Sequence, residues 1–286
     1  MDAPAWNIKK QVCEIGRRIW QRGYCAGNEG NHSVRIGPDR ILCTPTGMSK
    51  GFMEPDDLCV IDMDGKQAQK NDRGRTPTSE VLVHLAIYRK LENVGAVIHS
   101  HPPHAVAFCL ANIPLPEGIH PEAEIFLGKT VFAKYATTGS PAVPESFIHQ
   151  LTPNTNTVLL ANHGSVSIGR DLTEAYDRLE VLDSYCKQLL LTRQLGRINV
   201  LDGAQIAELL KVKERFGLSD DRAASAQPGG IVAQNNPYLA GFSSGPENGQ
   251  APPGPDAIRP GVDATDRQFE RLVRAIADRV IDALRG

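Results

Sequence analysis

The forty residues from Ala223 to Val262 limit what this chain can pack. They hold seven prolines and seven glycines against three charged side chains, Glu247, Asp256 and Arg259. A stretch with so little apolar surface cannot offset its own ordering entropy, so 223–262 reads as a flexible linker. The packed fold must come from residues 1–222, and whatever follows the linker stands apart from it. Residues 263–286 place Phe269, Leu272, Val273, Ile276, Val280, Ile281 and Leu284 at helical three-and-four spacing. Thr265 and Gln268 make a capping box, and arginines and aspartates take the opposite face. The pattern predicts an amphipathic helix that the core does not need, a docking element.

Residues 1–222 predict one mixed α/β domain. Helices are expected over 7–23, 78–93, 171–195 and 202–217. Short strands are expected in HSVRIG, RILCTP, LCVIDMDG, GAVIHSH and TVFAKYA, with two more in NTVLLANHGSVSIG. Strands and helices do not alternate strictly, which argues against a simple doubly wound sheet. With 41% hydrophobic residues, 22% charged residues and a net charge of −2, the chain has the composition of a soluble enzyme. Near-neutral charge gives no electrostatic reason to expect nucleic acid. No apolar run approaches the ~20 residues of a membrane span, and no signal peptide is visible. Six scattered cysteines without a CxxC pair read as reduced thiols in a cytosolic protein.

The chemistry concentrates in AVIHSHPPHA, an apolar run that ends in His99, His101 and His104. Residues two apart in a strand face the same side, so His99 and His101 project together, about 7 Å apart along the backbone. Three ligands and an open position make a catalytic zinc site. His163, closing the run LLANHG, is the candidate third ligand, with Gly164 permitting a sharp turn. Spacing alone leaves a second reading open, in which these are hydrogen-bonded or partly exposed histidines. His104 follows two prolines and reads as a supporting residue. Three polar segments accompany the histidines: Gly30, Asn31 and Ser33 before a strand, Thr46 and Gly47 in CTPTG, and Thr78 and Ser79 at a helix start. Together they could cradle an anion with backbone N–H groups and hydroxyls.

In order along the chain, GNHS, TPTG, TSE, HSH, YATTG and NHG resemble the class II aldolase/adducin family, over roughly residues 7–218, nearest its L-fuculose-1-phosphate aldolase branch. The resemblance implies an α/β fold with a central, mainly antiparallel sheet flanked by helices, and a homotetramer. It implies one Zn2+ per subunit on His99, His101 and His163, with Glu80 as an alternative ligand and the catalytic acid/base. It places a substrate phosphate among Gly30, Asn31, Thr46, Gly47, Thr78 and Ser79. The implied reaction is retro-aldol cleavage of L-fuculose or L-rhamnulose 1-phosphate to dihydroxyacetone phosphate and lactaldehyde. A 4-epimerase, a dehydratase and a non-catalytic adducin-like binding protein are the alternatives within the family. The chain departs from the aldolase pattern at Pro121 and Phe216, where that branch has tyrosines; Glu122, Glu124 and Tyr135 are candidate replacements. The helix after its linker resembles the encapsulation peptides of bacterial microcompartment cargo, which would make a shell protein or another cargo its partner.

Overall fold

The structure, a computed structural model, describes residues 3–224, 236–240 and 242–244. The expected docking helix lies outside the described residues, as does most of the expected linker. The chain divides into two compact units, Met1–Leu190 with Asn199–Gly241 and Leu191–Ile198 with Phe242–Gly286.

The larger unit is built on a seven-stranded sheet of order β3-β2-β1-β4-β7-β6-β5. Its strands are β1 (Asn31–Gly37), β2 (Arg40–Cys43), β3 (Cys59–Ile61), β4 (Ala96–Ser100), β5 (Val131–Ala133), β6 (Thr157–Leu160) and β7 (Gly164–Gly169). Every neighbouring pair is antiparallel except β5 and β6. The mainly antiparallel sheet is the one expected. Central β4 is buried along its whole length, so its side chains alternate between two covered faces. Val97 joins the cluster under α2 (Val81–Lys90), with Ile41, Ile61, Leu85 and Tyr88. Ala96 and Ile98 join the cluster on the other face, with Val12, Ile15 and Ile19 of α1 (Ala3–Gln21) and Leu172, Ala175 and Leu179 of α5 (Leu172–Leu195). The three-and-four spacing in α1 supplies the apolar stripe that covers the sheet.

Three features differ from expectation. Residues Pro103–Ala111 form a helix, α3, which is not among the helices expected from the sequence. Pro103 takes its first position, where proline's missing N–H costs nothing. A short helix, α4 (Ala142–Glu145), precedes β6. Within the expected linker, Asn236–Ala240 packs on the larger unit: Tyr238 is 5% exposed, donates its hydroxyl to Leu189 O and tilts against Phe108. One aromatic ring with a satisfied hydroxyl outweighs the surrounding prolines and glycines locally. In the smaller unit, β8 (Arg197–Ile198) pairs in parallel with β9 (Ser243–Ser244), and Arg193 stacks on Phe242. All six cysteines are free and buried. Burial pushes the thiols of Cys25, Cys43 and Cys109 up to about 12 and those of Cys13 and Cys59 to about 11. Among the described residues no helix is long and apolar enough to cross a membrane.

After α6 (Gly203–Arg215) the chain is tied back by a buried ion network. Arg222 pairs with Glu117 at 2.8 Å, Glu124 at 2.7 Å and Asp220 at 2.8 Å, and Lys213 pairs with Asp220 at 2.7 Å. Burial raises the Asp220 carboxyl, but hydrogen bonds from Arg222 and Lys213 outweigh it and hold the group far below its ordinary value. A depressed folded-state value adds stability above the unfolded pKa of ~3.9, which is lost as pH falls below it. Arg222→Met should therefore destabilise the protein by about 3–5 kcal/mol at pH 7, by stranding buried carboxylates. Urea unfolding followed by circular dichroism should show that difference shrinking below pH ~4.

Candidate metal centre

Register brings the site together at one end of β4. Asn31 of β1 lies opposite His99, as does Val166 of β7, and Ser100 lies opposite Ser165. His99 shares the parity of Val97 and so faces the α2 side. His101 lies one residue beyond the end of β4, a correction to the expected strand pair. Its N–H is taken by Tyr24 O at 2.8 Å, and the chain turns there into α3. The ring still converges on His99, because Gly164 leaves room for it. A Cβ at Gly164 would stand 2.5 Å from His101 Cδ2 and 2.8 Å from Ser100 O. The turn between β6 and β7 is made instead by Asn162 at φ 57°, and it delivers His163.

Ligand atoms of His99, His101 and His163 all lie within 4.8 Å of one another. Their outer hydrogen bonds decide what those atoms offer. His99 Nδ1 is 2.9 Å from Ser165 O, which can only accept, so Nδ1 carries the hydrogen and Nε2 is a lone pair. His101 Nδ1 lies 3.2 Å from the Glu29 carboxylate, an acceptor on the outer side of the ring. The two Nε2 atoms then face each other at 3.2 Å with no proton required between them. Paired lone pairs repel unless a cation stands among them. Outward-bonded Nδ1 atoms are the supporting shell that orients metal-binding imidazoles. Burial pushes the His99 pKa well below its ordinary value, and the positive forms of His163 and His101 would add to that, so the ring is held neutral. The His163 value is lowered by burial against an opposing pull from Glu80. Three imidazole nitrogens and a carboxylate are a donor set that fits zinc.

Glu80 stands at the N-cap of α2. One carboxylate oxygen is 3.4 Å from His99 Nε2 and the other 3.4 Å from His163 Nε2. Asn31 Nδ2 donates to Glu80 Oε2 at 2.8 Å. The two loops expected to hold phosphate run side by side: Pro45 bridges Pro77, Thr46 N donates to Thr76 O at 3.0 Å, and Thr78 N to Thr44 O at 3.1 Å. Thr46, Gly47 and Ser79 are exposed there, whereas Asn31 and Thr78 are buried. Gly47 has φ +69° and Gly30 φ +73°, and a Cβ on Gly30 would meet Cys25 Sγ at 2.6 Å and His99 O at 2.9 Å. Glycine is thus required at Gly30 both for conformation and for close approach.

Sequence reasoning missed Lys50, Glu29 and His84. Lys50 is 1% exposed and donates to Asn28 O at 2.9 Å and to Met48 O, tying the segment before Gly30 to the loop of Thr46 and Gly47. His104 is a supporting residue as expected, its Nδ1 2.8 Å from Asp183. Among the candidate replacements for the missing tyrosines, Glu124 is committed to Arg222 and to Gly118 N, which removes it. Glu122 pairs with His120 at 3.3 Å, and Tyr135 is exposed. Pro121 is exposed, and Phe216 lies against Phe126 with its ring largely in solvent.

Residues 10–190 match the model of the class II aldolase and adducin N-terminal domain. The chain is 38% identical over 183 residues to an L-fuculose phosphate aldolase of Methanocaldococcus jannaschii, covering 64% of this chain and 96% of the relative. It is 34% identical over 205 residues to a 3-oxo-tetronate 4-phosphate decarboxylase of Haemophilus influenzae, covering 70% and 95%. A solved L-fuculose 1-phosphate aldolase superposes with a TM-score of 0.66 at 24% identity, over 74% of this chain and 97% of that one. That likeness bears on fold. Gly164→Ala should weaken zinc binding by about 10-fold or more, by displacing the His101 ring. Competition with a chromophoric chelator measures the loss; unchanged affinity would mean that His101 is not a ligand.

Proposed function

The chain belongs to the class II aldolase/adducin family, and from that premise we propose that it is a zinc-dependent enzyme cleaving a 6-deoxyketose 1-phosphate. At the level of class it is a metal-dependent aldehyde-lyase. The finer reading takes L-fuculose 1-phosphate, L-rhamnulose 1-phosphate or both to dihydroxyacetone phosphate and lactaldehyde. Its main support is the meeting of the His99 and His101 Nε2 atoms at 3.2 Å, with Glu80 against the cluster.

In this reading His99, His101 and His163 would hold zinc. The substrate phosphate enters between the loops carrying Thr46, Gly47, Thr78 and Ser79, beside Gly30 and Asn31, where hydroxyls and backbone N–H groups meet an anion. Bound in the cluster, zinc supplies Lewis-acid stabilisation of the negative charge that grows on the substrate carbonyl oxygen as the C3–C4 bond breaks. Solvent acts as the base that takes the C4 hydroxyl proton as the aldehyde forms, and it restores the Glu80 proton after each turnover. Glu80 holds a proton at a carboxyl oxygen and delivers it to C3, completing dihydroxyacetone phosphate. Asn31 Nδ2 steadies that carboxylate. A homotetramer and microcompartment cargo status belong to the same reading. The apolar stripe from Phe269 to Leu284 supports the second, with a shell protein or other cargo as partner.

The Haemophilus influenzae relative favours a second reading, decarboxylation of a 3-oxo acid phosphate. That reaction also breaks a C–C bond one carbon from a carbonyl, and the same residues would serve it. A coupled assay separates the two. With zinc present, dihydroxyacetone phosphate should appear from L-fuculose or L-rhamnulose 1-phosphate and cease after chelation, and Glu80→Gln should lower kcat roughly 100-fold or more. Carbon dioxide from 3-oxo-tetronate 4-phosphate, with no product from either sugar, would replace the first reading with the second.

A further inference from the structure

Behind Glu80 runs a chain of four hydrogen bonds, buried beyond the first. Asn31 Nδ2 donates to Glu80 Oε2 at 2.8 Å. Asn31 Oδ1 lies 2.5 Å from His84 Nε2, His84 Nδ1 lies 2.7 Å from Ser33 Oγ, and Ser33 Oγ lies 2.9 Å from the Tyr88 hydroxyl. Asn31, Ser33, His84 and Tyr88 are each 2% exposed or less. We propose that His84 is a positioning residue that, through Asn31, sets the Glu80 carboxylate against the histidine cluster.

The direction of every bond follows from the first. Asn31 spends its N–H on Glu80, so its oxygen faces His84 and can only accept. His84 Nε2 must therefore carry the hydrogen. Burial pushes the His84 pKa down to about 3, so the ring is neutral and Nδ1 is bare. Bare Nδ1 accepts from Ser33, whose oxygen in turn accepts from Tyr88. All four donors point toward Glu80.

The two ends of an asparagine amide have nearly the same shape, and only hydrogen bonding tells them apart. His84 Nε2–H selects Oδ1 and leaves Nδ2 for Glu80. Without that donor Asn31 Oδ1 is left buried and unpaired, and only the carboxylate itself holds the amide, so Nδ2 is set less firmly against Glu80. Helical spacing makes the arrangement: Glu80, His84 and Tyr88 recur every four residues along one face of α2, while Asn31 and Ser33 share the facing side of β1. A buried histidine serving packing alone would have no need of an ordered set of donors ending on a carboxylate.

The kinetic arm rests on the aldolase reading, whereas the metal and tautomer arms do not. His84→Met removes the donor at similar volume; His84→Gln retains an N–H for Asn31 and an acceptor for Ser33. Chelator competition should show zinc affinity falling about 10- to 100-fold in His84→Met and recovering to within about threefold of wild type in His84→Gln. In the aldolase assay kcat should fall and recover in parallel, with KM little changed. Should His84→Met fail to fold, Ser33→Ala tests the same point, because losing the hydrogen on Nδ1's partner frees the ring to change tautomer and weakens zinc. Nitrogen-15 shifts of wild type should report the Nε2–H tautomer of His84. Wild-type zinc affinity in His84→Met, an equal loss in both His84 variants, or an Nδ1–H tautomer would overturn the proposal. If wild-type enzyme binds zinc but releases no dihydroxyacetone phosphate, the aldolase reading fails, and the zinc and tautomer results still decide the role of His84.

Discussion

Everything at the site depends on the register of three strands. β4 is held between β1 and β7, with Asn31 and Val166 flanking His99. Because side chains alternate along a strand, a slip of one residue would carry His99 to the face covered by α1 and α5. Asn31 would no longer meet Glu80, and His163 would arrive beside the wrong ring. The same slip would drive Ile98 and Val97 across to unmatched cores. Apolar packing on both faces of β4 thus enforces the polar geometry at its end, and the site needs no separate mechanism to hold its shape.

Electrostatics completes what register begins. In a dry interior a hydrogen-bonding group left unmatched costs far more than in water, so each donor has one sensible acceptor. Ser165 O and Glu29 take the outer hydrogens of His99 and His101, and Asn31 takes its orientation from His84. The inward-facing atoms are left electron-rich. So many electron-rich atoms in a small volume make a place that could hold a metal ion. Lys50, also buried, lies farther back, its ammonium satisfied by two carbonyls.

The histidine cluster was legible because strand ends and glycine turns mark themselves in sequence: HSH closes one apolar run and NHG another. Its supports were not. Glu29 reads as an ordinary loop acid until the turn at Tyr24 brings it to His101. His84 sits inside an apolar helical run, where periodicity marks it as core; only its four-residue distance from Glu80 hinted at more. Gly164 was noticed for a turn that Asn162 makes, since close approach between strands is a tertiary fact. The sheet was legible as short buried runs and its mainly antiparallel character from the resemblance, while its strand order, set by long-range pairing, was not. Tyr238 was hidden by composition, because a window average over prolines and glycines conceals one anchoring ring.

The six buried cysteines bear on the chemistry in another way. An enzyme that releases a small aldehyde makes an electrophile at high local concentration, and thiolates are among the first side chains that such a molecule captures. In this chain every thiol lies out of solvent, and burial holds each protonated well above neutral pH. Buried, protonated sulfur is inert sulfur. The same apolar core that sets the strand register therefore shields the protein's softest nucleophiles from electrophiles, the aldehyde of the proposed cleavage among them.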